Sequence, residues 1–196
     1  MPTKSALAGM CCAALGLPRG SKEEQECLSS FRMVRMTAIV IPRRGTGQDL
    51  PVGRLQDFHT VQNTKTAEGK IKDCHITHRQ YLTDASFGVL LEGDVVLLGQ
   101  IAAALADPRW GIWLGRKTCI PSAPVLAGLK DNRDDALRLL IGEHPLELFT
   151  RQDEVKNFGE GIDSLPDSPV SFATERREFS PRRVRTLQRT GHPLRS

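Results

Sequence analysis

The sequence predicts an α+β fold, with helices packed on an antiparallel sheet. Three observations predict it. Helical stretches with stop signals at both ends alternate with short apolar stretches of strand-like period. The order reads helix, strand, long polar insertion, strand, helix, strand, helix, strand. The last forty or so residues carry several strand-like pieces and no helical period, which suits a sheet closed by antiparallel returns.

Taken in order, "PTKSALAGMCCAALGLPRG" places a proline before a threonine or serine cap. Three turns of small and apolar residues follow, and Gly16 and Pro18 act as a stop. Ala6–Pro18 is too short to span a bilayer, and Lys4 alone precedes it as a charge, so a buried helix is expected rather than a signal peptide. "SKEEQECLSS" reads as a short amphipathic helix, with Ser21 as cap and Glu24 at capping-box spacing. "FRMVRMTAIVIP" alternates from Phe31 onward and is expected to be a strand buried in its distal half.

From Arg43 to about Asp73 the chain is rich in glycine, threonine, glutamine and lysine and cannot build a core, so a long loop or protruding hairpin is expected. Phe87–Leu91 reads as a core strand, and Asp94 to about Ala106 as a helix ended by Pro108. "WGIWLGRK" reads as a strand that ends in a cationic turn, "DNRDDALRLLIGEHP" as a capped helix and "LELFT" as a strand. The stretch from 152 to 196 is expected to be the closing β segment with a basic tail.

At 196 residues the chain has the length of one large domain or two small ones, with the composition of an ordinary globular protein. Its five cysteines are odd in number and two are adjacent, which suits reduced thiols and a cytoplasmic home better than a disulfide framework. The net charge of +4 is unevenly spread. Seven arginines (Arg176, Arg177, Arg182, Arg183, Arg185, Arg189, Arg195) gather at the C-terminal end, where they could meet nucleic acid or an acidic protein surface, or form a solvated tail.

Chemistry-bearing patterns are sparse. "CHITH" brings Cys74, His75 and His78 together, but on a strand His75 points away from the other two and no C-x-x-C partner exists, so no metal is expected. No phosphate-binding loop or nucleophile elbow is present, and no cofactor is implied. Metal-independent RNA cleavage would need a base, an acid and a cation, roles that His59, His78, Tyr81, Arg79 and Lys70 could fill, although their spacing does not require it. Cations at turns remain. The "PTKS" helix start offers N–H groups, the Ser5 hydroxyl and Lys4 to a phosphate, and "LGRK" holds out Arg116 and Lys117. These favour a binder of nucleic-acid backbone over an enzyme.

The segments "PTKSALAGMCCAALGL", "LQDFHTVQ", "THRQYLTDASFGVLLEG", "DPRWGIWLGRKTCIPSAP" and "SPVSFATERREFSPRRVRT", in that order, resemble the CRISPR-associated CasD family. These are type I-E-like Cascade subunits that cap the 5′ end of the guide RNA, and the resemblance covers nearly the whole chain. It implies a modified ferredoxin-like (RRM/RAMP) domain with a β-hairpin thumb, here the insertion of about 57–80. It further implies a non-catalytic subunit that holds the crRNA 5′ handle and touches the backbone and large subunits, with no membrane or small-molecule ligand. The implied RNA-binding residues are Lys4, Ser5, His59, Lys70, His78, Arg79, Tyr81, Arg116 and Lys117. Some relatives are instead metal-independent endoribonucleases that cut repeat RNA, which is the alternative reading. A purely structural interaction protein is a third. Family members begin with a strand and a glycine-rich loop ahead of the "PTKS" helix, whereas here Met1 directly precedes Pro2, so open strand edges are expected.

Overall fold

The computed structural model describes residues 1–44, 49–157, 159–161 and 163–189, so Arg195 of the basic tail lies outside the described residues. The chain divides into two units. One contains Met1–Ile41 and the described chain from Phe87 onward, and the other is Pro42–Ser86.

The first unit opens with two helices whose ends follow their cap chemistry. In α1 (Lys4–Leu15) the Thr3 hydroxyl accepts the Ala6 N–H. At the other end Gly16 takes φ +71°, so its N–H reaches the Ala13 carbonyl at 3.1 Å and the Leu17 N–H reaches that of Cys12 at 2.9 Å. In α2 (Lys22–Arg32) the Ser21 hydroxyl accepts the Glu24 N–H, while the Glu24 carboxylate accepts from Gly20 at 2.7 Å, one residue before the capping-box partner.

Phe31, expected in a strand, belongs to α2. Glu24, Leu28 and Phe31 recur at helical spacing on one buried face, and Leu28 and Phe31 pack with Ala8, Cys11 and Cys12 of α1. Burial of each such large side chain contributes about 1.5–3 kcal/mol, which outweighs the short alternating pattern that follows.

Strand β1 (Arg35–Ile41) begins after the Met33 cap and buries Met36, Thr37, Ala38 and Ile39 in succession, so its burial is early and two-sided rather than distal. Strand β6 (Ser86–Glu92), helix α3 (Val95–Ala106, capped by Asp94) and helix α4 (Arg133–Ile141, capped by Asn132) fall where the sequence signals put them. "LELFT" instead winds into a 3₁₀ turn at Leu146–Leu148 behind Pro145, and the strand starts later, as β7 (Arg151–Glu154). Strands β8 (Asp163–Ser171) and β9 (Glu178–Leu187) close the chain.

The sheet order is β6-β1-β7-β9-β8, with antiparallel pairing from β1 through β7 and β9 to β8. β1 therefore has a neighbour on each side, and the sheet's edges are β6 and β8. The register slips along β8 accompany Pro166 and Pro169, which an edge strand tolerates. Glu92 joins the layers by accepting from Arg35 at 2.6 Å and from Arg133 at the start of α4.

The second unit holds a short pair, β2 (Arg43–Arg44) with β3 (Asp49–Leu50), and a long antiparallel hairpin, β4 (Gly53–Lys65) with β5 (Ile71–Thr83). Among the described residues, no buried hydrophobic side chain lies between 42 and 86.

Candidate nucleic-acid interface

The hairpin's register fixes which side chains share a face. Leu55 pairs with Tyr81, Asp57 with Arg79, His59 with Thr77 and Val61 with His75 on one face. The other face carries Arg54 with Leu82, Gln56 with Gln80, Phe58 with His78 and Thr60 with Ile76. Asp57, His59, Arg79 and Tyr81 are half-buried, whereas Phe58, Ile76 and His78 are exposed. Of the sequence-derived candidates, His59, Arg79 and Tyr81 thus gather on one face and His78 lies on the other. Lys70 sits at the tip, where Thr66 N–H donates to its carbonyl at 2.9 Å and Gly69 takes φ +81°. Backbone N–H donation, then the Thr66 hydroxyl, holds the Glu68 carboxyl at that tip below its usual range.

Two details of the faces bear on chemistry. His59 Nε2 lies 2.8 Å from Asp57 Oδ2, so its charge when protonated is locally balanced. His59 and His78 stand on opposite faces, so they cannot converge on one phosphate as general base and acid. Phe58, 65% exposed, stands directly opposite His78 in the ladder. Phe58 was missed by sequence reasoning. Its signal was an aromatic ring alternating with polar residues inside a segment that has no core to bury it.

In the first unit the cationic turn is real but its setting differs from expectation. "WGIWLGRK" forms no strand. The Arg109 N–H donates to the Ala14 carbonyl of α1 at 2.9 Å, and the Arg109 stem lies so close to Gly16 that a Cβ there would meet Cδ at 2.2 Å. The chain leaving that anchor is then folded back on itself. Gly115 takes φ +77°, Arg116 N–H donates to Leu114, Cys119 N–H donates to Arg116 at 2.8 Å and Leu114 N–H donates to Cys119 at 2.9 Å. These bonds use up the backbone groups that a ladder would need. Arg116 and Lys117 are exposed at the apex, with the Lys117 ammonium 5.6 Å from the Trp113 ring centroid.

Lys4 is a correction. It is completely buried, and its ammonium donates to the carbonyls of Arg32 at 3.2 Å and Val34 at 2.6 Å and to both oxygens of Glu154 at 2.8 and 3.1 Å. The helix start it was to share with a phosphate is filled from inside, since the Lys4 N–H donates to Asp167 Oδ2 at 3.0 Å. Arg182 engages the same carboxylate through two nitrogens at 2.6 and 3.0 Å, so this arginine of the basic segment is also structural. Ser5 is half-buried and shares a hydrogen bond with the Thr3 hydroxyl at 3.2 Å.

The comparisons with known proteins agree with one another. The model of the family described as CRISPR-associated protein (Cas_Cas5) matches residues 1–185. The CRISPR system Cascade subunit CasD of Escherichia coli (strain K12) is 30% identical over 146 residues, which are 71% of this chain and 63% of that protein. The chain thus spans less than two thirds of that relative's length. Among solved structures, a chain of a CRISPR RNA-guided surveillance complex superposes with a TM-score of 0.70 at 29% identity, covering 95% of this chain and 78% of the other. Another, described as a Cas protein, gives 0.63 at 30% identity, with 96% and 82% covered.

Proposed function

Because the chain belongs to the CRISPR-associated protein (Cas_Cas5) family, we propose that it acts in antiviral defence as a non-catalytic RNA-binding subunit of a type I Cascade complex, holding the 5′ handle of the crRNA beside the backbone and large subunits. The observation that carries the reading is the coreless hairpin of residues 53–83, which presents Phe58 and His78 on one face, Arg79 and Tyr81 on the other and Lys70 at its tip. An arm with no interior that carries aromatic and cationic side chains suits insertion along a single strand, with stacking for the bases and charge for the backbone. In this reading the arm is the thumb of a modified ferredoxin-like domain, and Arg116 and Lys117 add phosphate contacts from the other unit.

The endoribonuclease alternative is disfavoured by the opposed histidines. Repeat RNA incubated with the purified chain in EDTA is expected to stay intact. The proposal itself is tested by reconstituting the complex with and without this chain and exposing the guide to a 5′ exonuclease. Loss of 5′-end protection without the chain is expected, and equal protection in both would overturn the proposal.

A further inference from the structure

We infer that a pocket of the first unit, between α1 and the segment that follows Arg109, takes one unpaired nucleobase of a single-stranded RNA. The inference rests on the RNA-binding reading and adds a base site beside the cationic turn, distinct from the hairpin.

The pocket has a volume of about 300 Å³. Its floor is the small-residue side of α1, where Ala6, Gly9 and Ala13 keep the backbone near the surface. A Cβ on Gly9 would already touch the Phe172 ring at 3.8 Å. Four aromatic rings line it, those of Trp110, Trp113, Phe172 and Phe179, beside the apolar Met10, Cys12 and Leu17. Phe172 and Phe179 meet edge to face with centroids 6.2 Å apart, and the Arg177 guanidinium lies 5.9 and 5.8 Å from the two rings. Lys117 stands over the Trp113 ring, and Thr3, Ser5 and Arg19 are polar residues of the lining. Its carboxylate, Glu24, is already committed to the Gly20 N–H.

Trp110 is 44% exposed, an arrangement that wastes the burial of the largest side chain unless something covers it. An aliphatic ligand would have no use for the cations, and a bare phosphate none for the rings. Flat π surfaces with a guanidinium and an ammonium within 6 Å of ring centroids match a planar, electron-rich heterocycle that carries a phosphate. The volume sits at the lower limit of ligand pockets and admits a base, not a duplex or a helix.

The chain has two tryptophans and both line this pocket, so intrinsic fluorescence reports on it specifically. A fluorescein-labelled, unstructured RNA of about a dozen nucleotides gives total binding by anisotropy, and the unlabelled RNA gives tryptophan emission. Saturable quenching with the same midpoint as the anisotropy is expected. A ribose-phosphate oligomer of equal length without bases is expected to leave the emission unchanged. Trp110→Leu should weaken the RNA about tenfold, the size of one stacking interaction, and leave the abasic oligomer unaffected. RNA that binds by anisotropy with unchanged emission would overturn the pocket while leaving the RNA-binding reading intact. Equal quenching by the abasic oligomer, or by free nucleoside monophosphates at the concentration of the RNA, would also overturn it. No anisotropy change at all would sink the RNA-binding reading and this inference with it.

Discussion

At the scale of single residues, two lysines that look alike in the sequence have opposite fates. Lys4 closes a buried network of two cations and two carboxylates, Lys4 and Arg182 with Glu154 and Asp167, in which every charge faces its opposite. Removing one member leaves an uncompensated charge inside, so Lys4→Ala is expected to lower unfolding free energy by about 3–5 kcal/mol in urea titrations. An accompanying Glu154→Gln should recover part of that loss, because it removes the orphaned charge. Lys117 and its neighbour Arg116 are exposed instead, and Arg116→Gln with Lys117→Gln should weaken RNA without moving the urea midpoint. The slope of log K against log salt should fall by about 0.7 for each phosphate of a single strand that is no longer neutralised. An unchanged slope would remove both residues from the interface. Sequence reading could not separate these two cases, since the carboxylates that engage Lys4 lie more than a hundred residues away along the chain.

At the scale of elements, legibility tracked local chemistry. Helices α1, α3 and α4 were readable because a side-chain cap and a glycine or proline stop act within a few residues of each end. The Trp110–Leu114 stretch misled because alternation over four or five residues resembles a strand, while the forces that set it, the Arg109–Ala14 bond and the turn at Gly115, are a tertiary anchor and a positive φ. The scarcity of large apolar residues from Arg43 to about Asp73 marked a coreless loop or protruding hairpin, and the ladder shows which of the two it is. The assignment of its histidines to opposite faces needed the register, which composition does not reveal.

The α1–α2 pair also makes a prediction through its thiols. Cys12 is pushed up first by donating its hydrogen bond to Cys27 and then by burial, burial pushes Cys11 up to about 12, and Cys27 is held low by accepting from Cys12. Because the thiolate is the nucleophile, a lowered pKa means more reactive thiolate at pH 8. Native-state iodoacetamide labelling followed by peptide mass spectrometry should therefore modify Cys27 well before Cys11 or Cys12. Labelling of Cys12 before Cys27 would contradict the assigned donor and acceptor roles.

At the scale of the whole molecule, the core and the arm are separate accounts. Every buried hydrophobic residue among those described belongs to the first unit, and the hairpin holds itself by its ladder and its tip. Replacing residues 53–83 with a short glycine-serine linker should leave a cooperative unfolding transition within a few degrees of the parent's, while RNA affinity falls. A melt that loses cooperativity would show that the arm supports the core. The first unit, by contrast, is tied across its full length. Ile39 pairs with Arg151, and Lys4 reaches Glu154 and Asp167.

That long-range pairing has a consequence on the ribosome. The apolar strand β1 leaves the peptidyl-transferase centre with its β7 partner still more than a hundred codons away. At usual synthesis speeds of about 5–20 residues per second it waits roughly 6–22 s before the ladder can form. Stalled nascent chains that end before residue 150 should accordingly be cut by protease within Met36–Ile39, and chains released at full length should not. During that interval an interior strand of the sheet keeps open the side that will meet β7, even once β6 has been made, so yield in a cell depends on what shelters that side as much as on the stability of the finished fold.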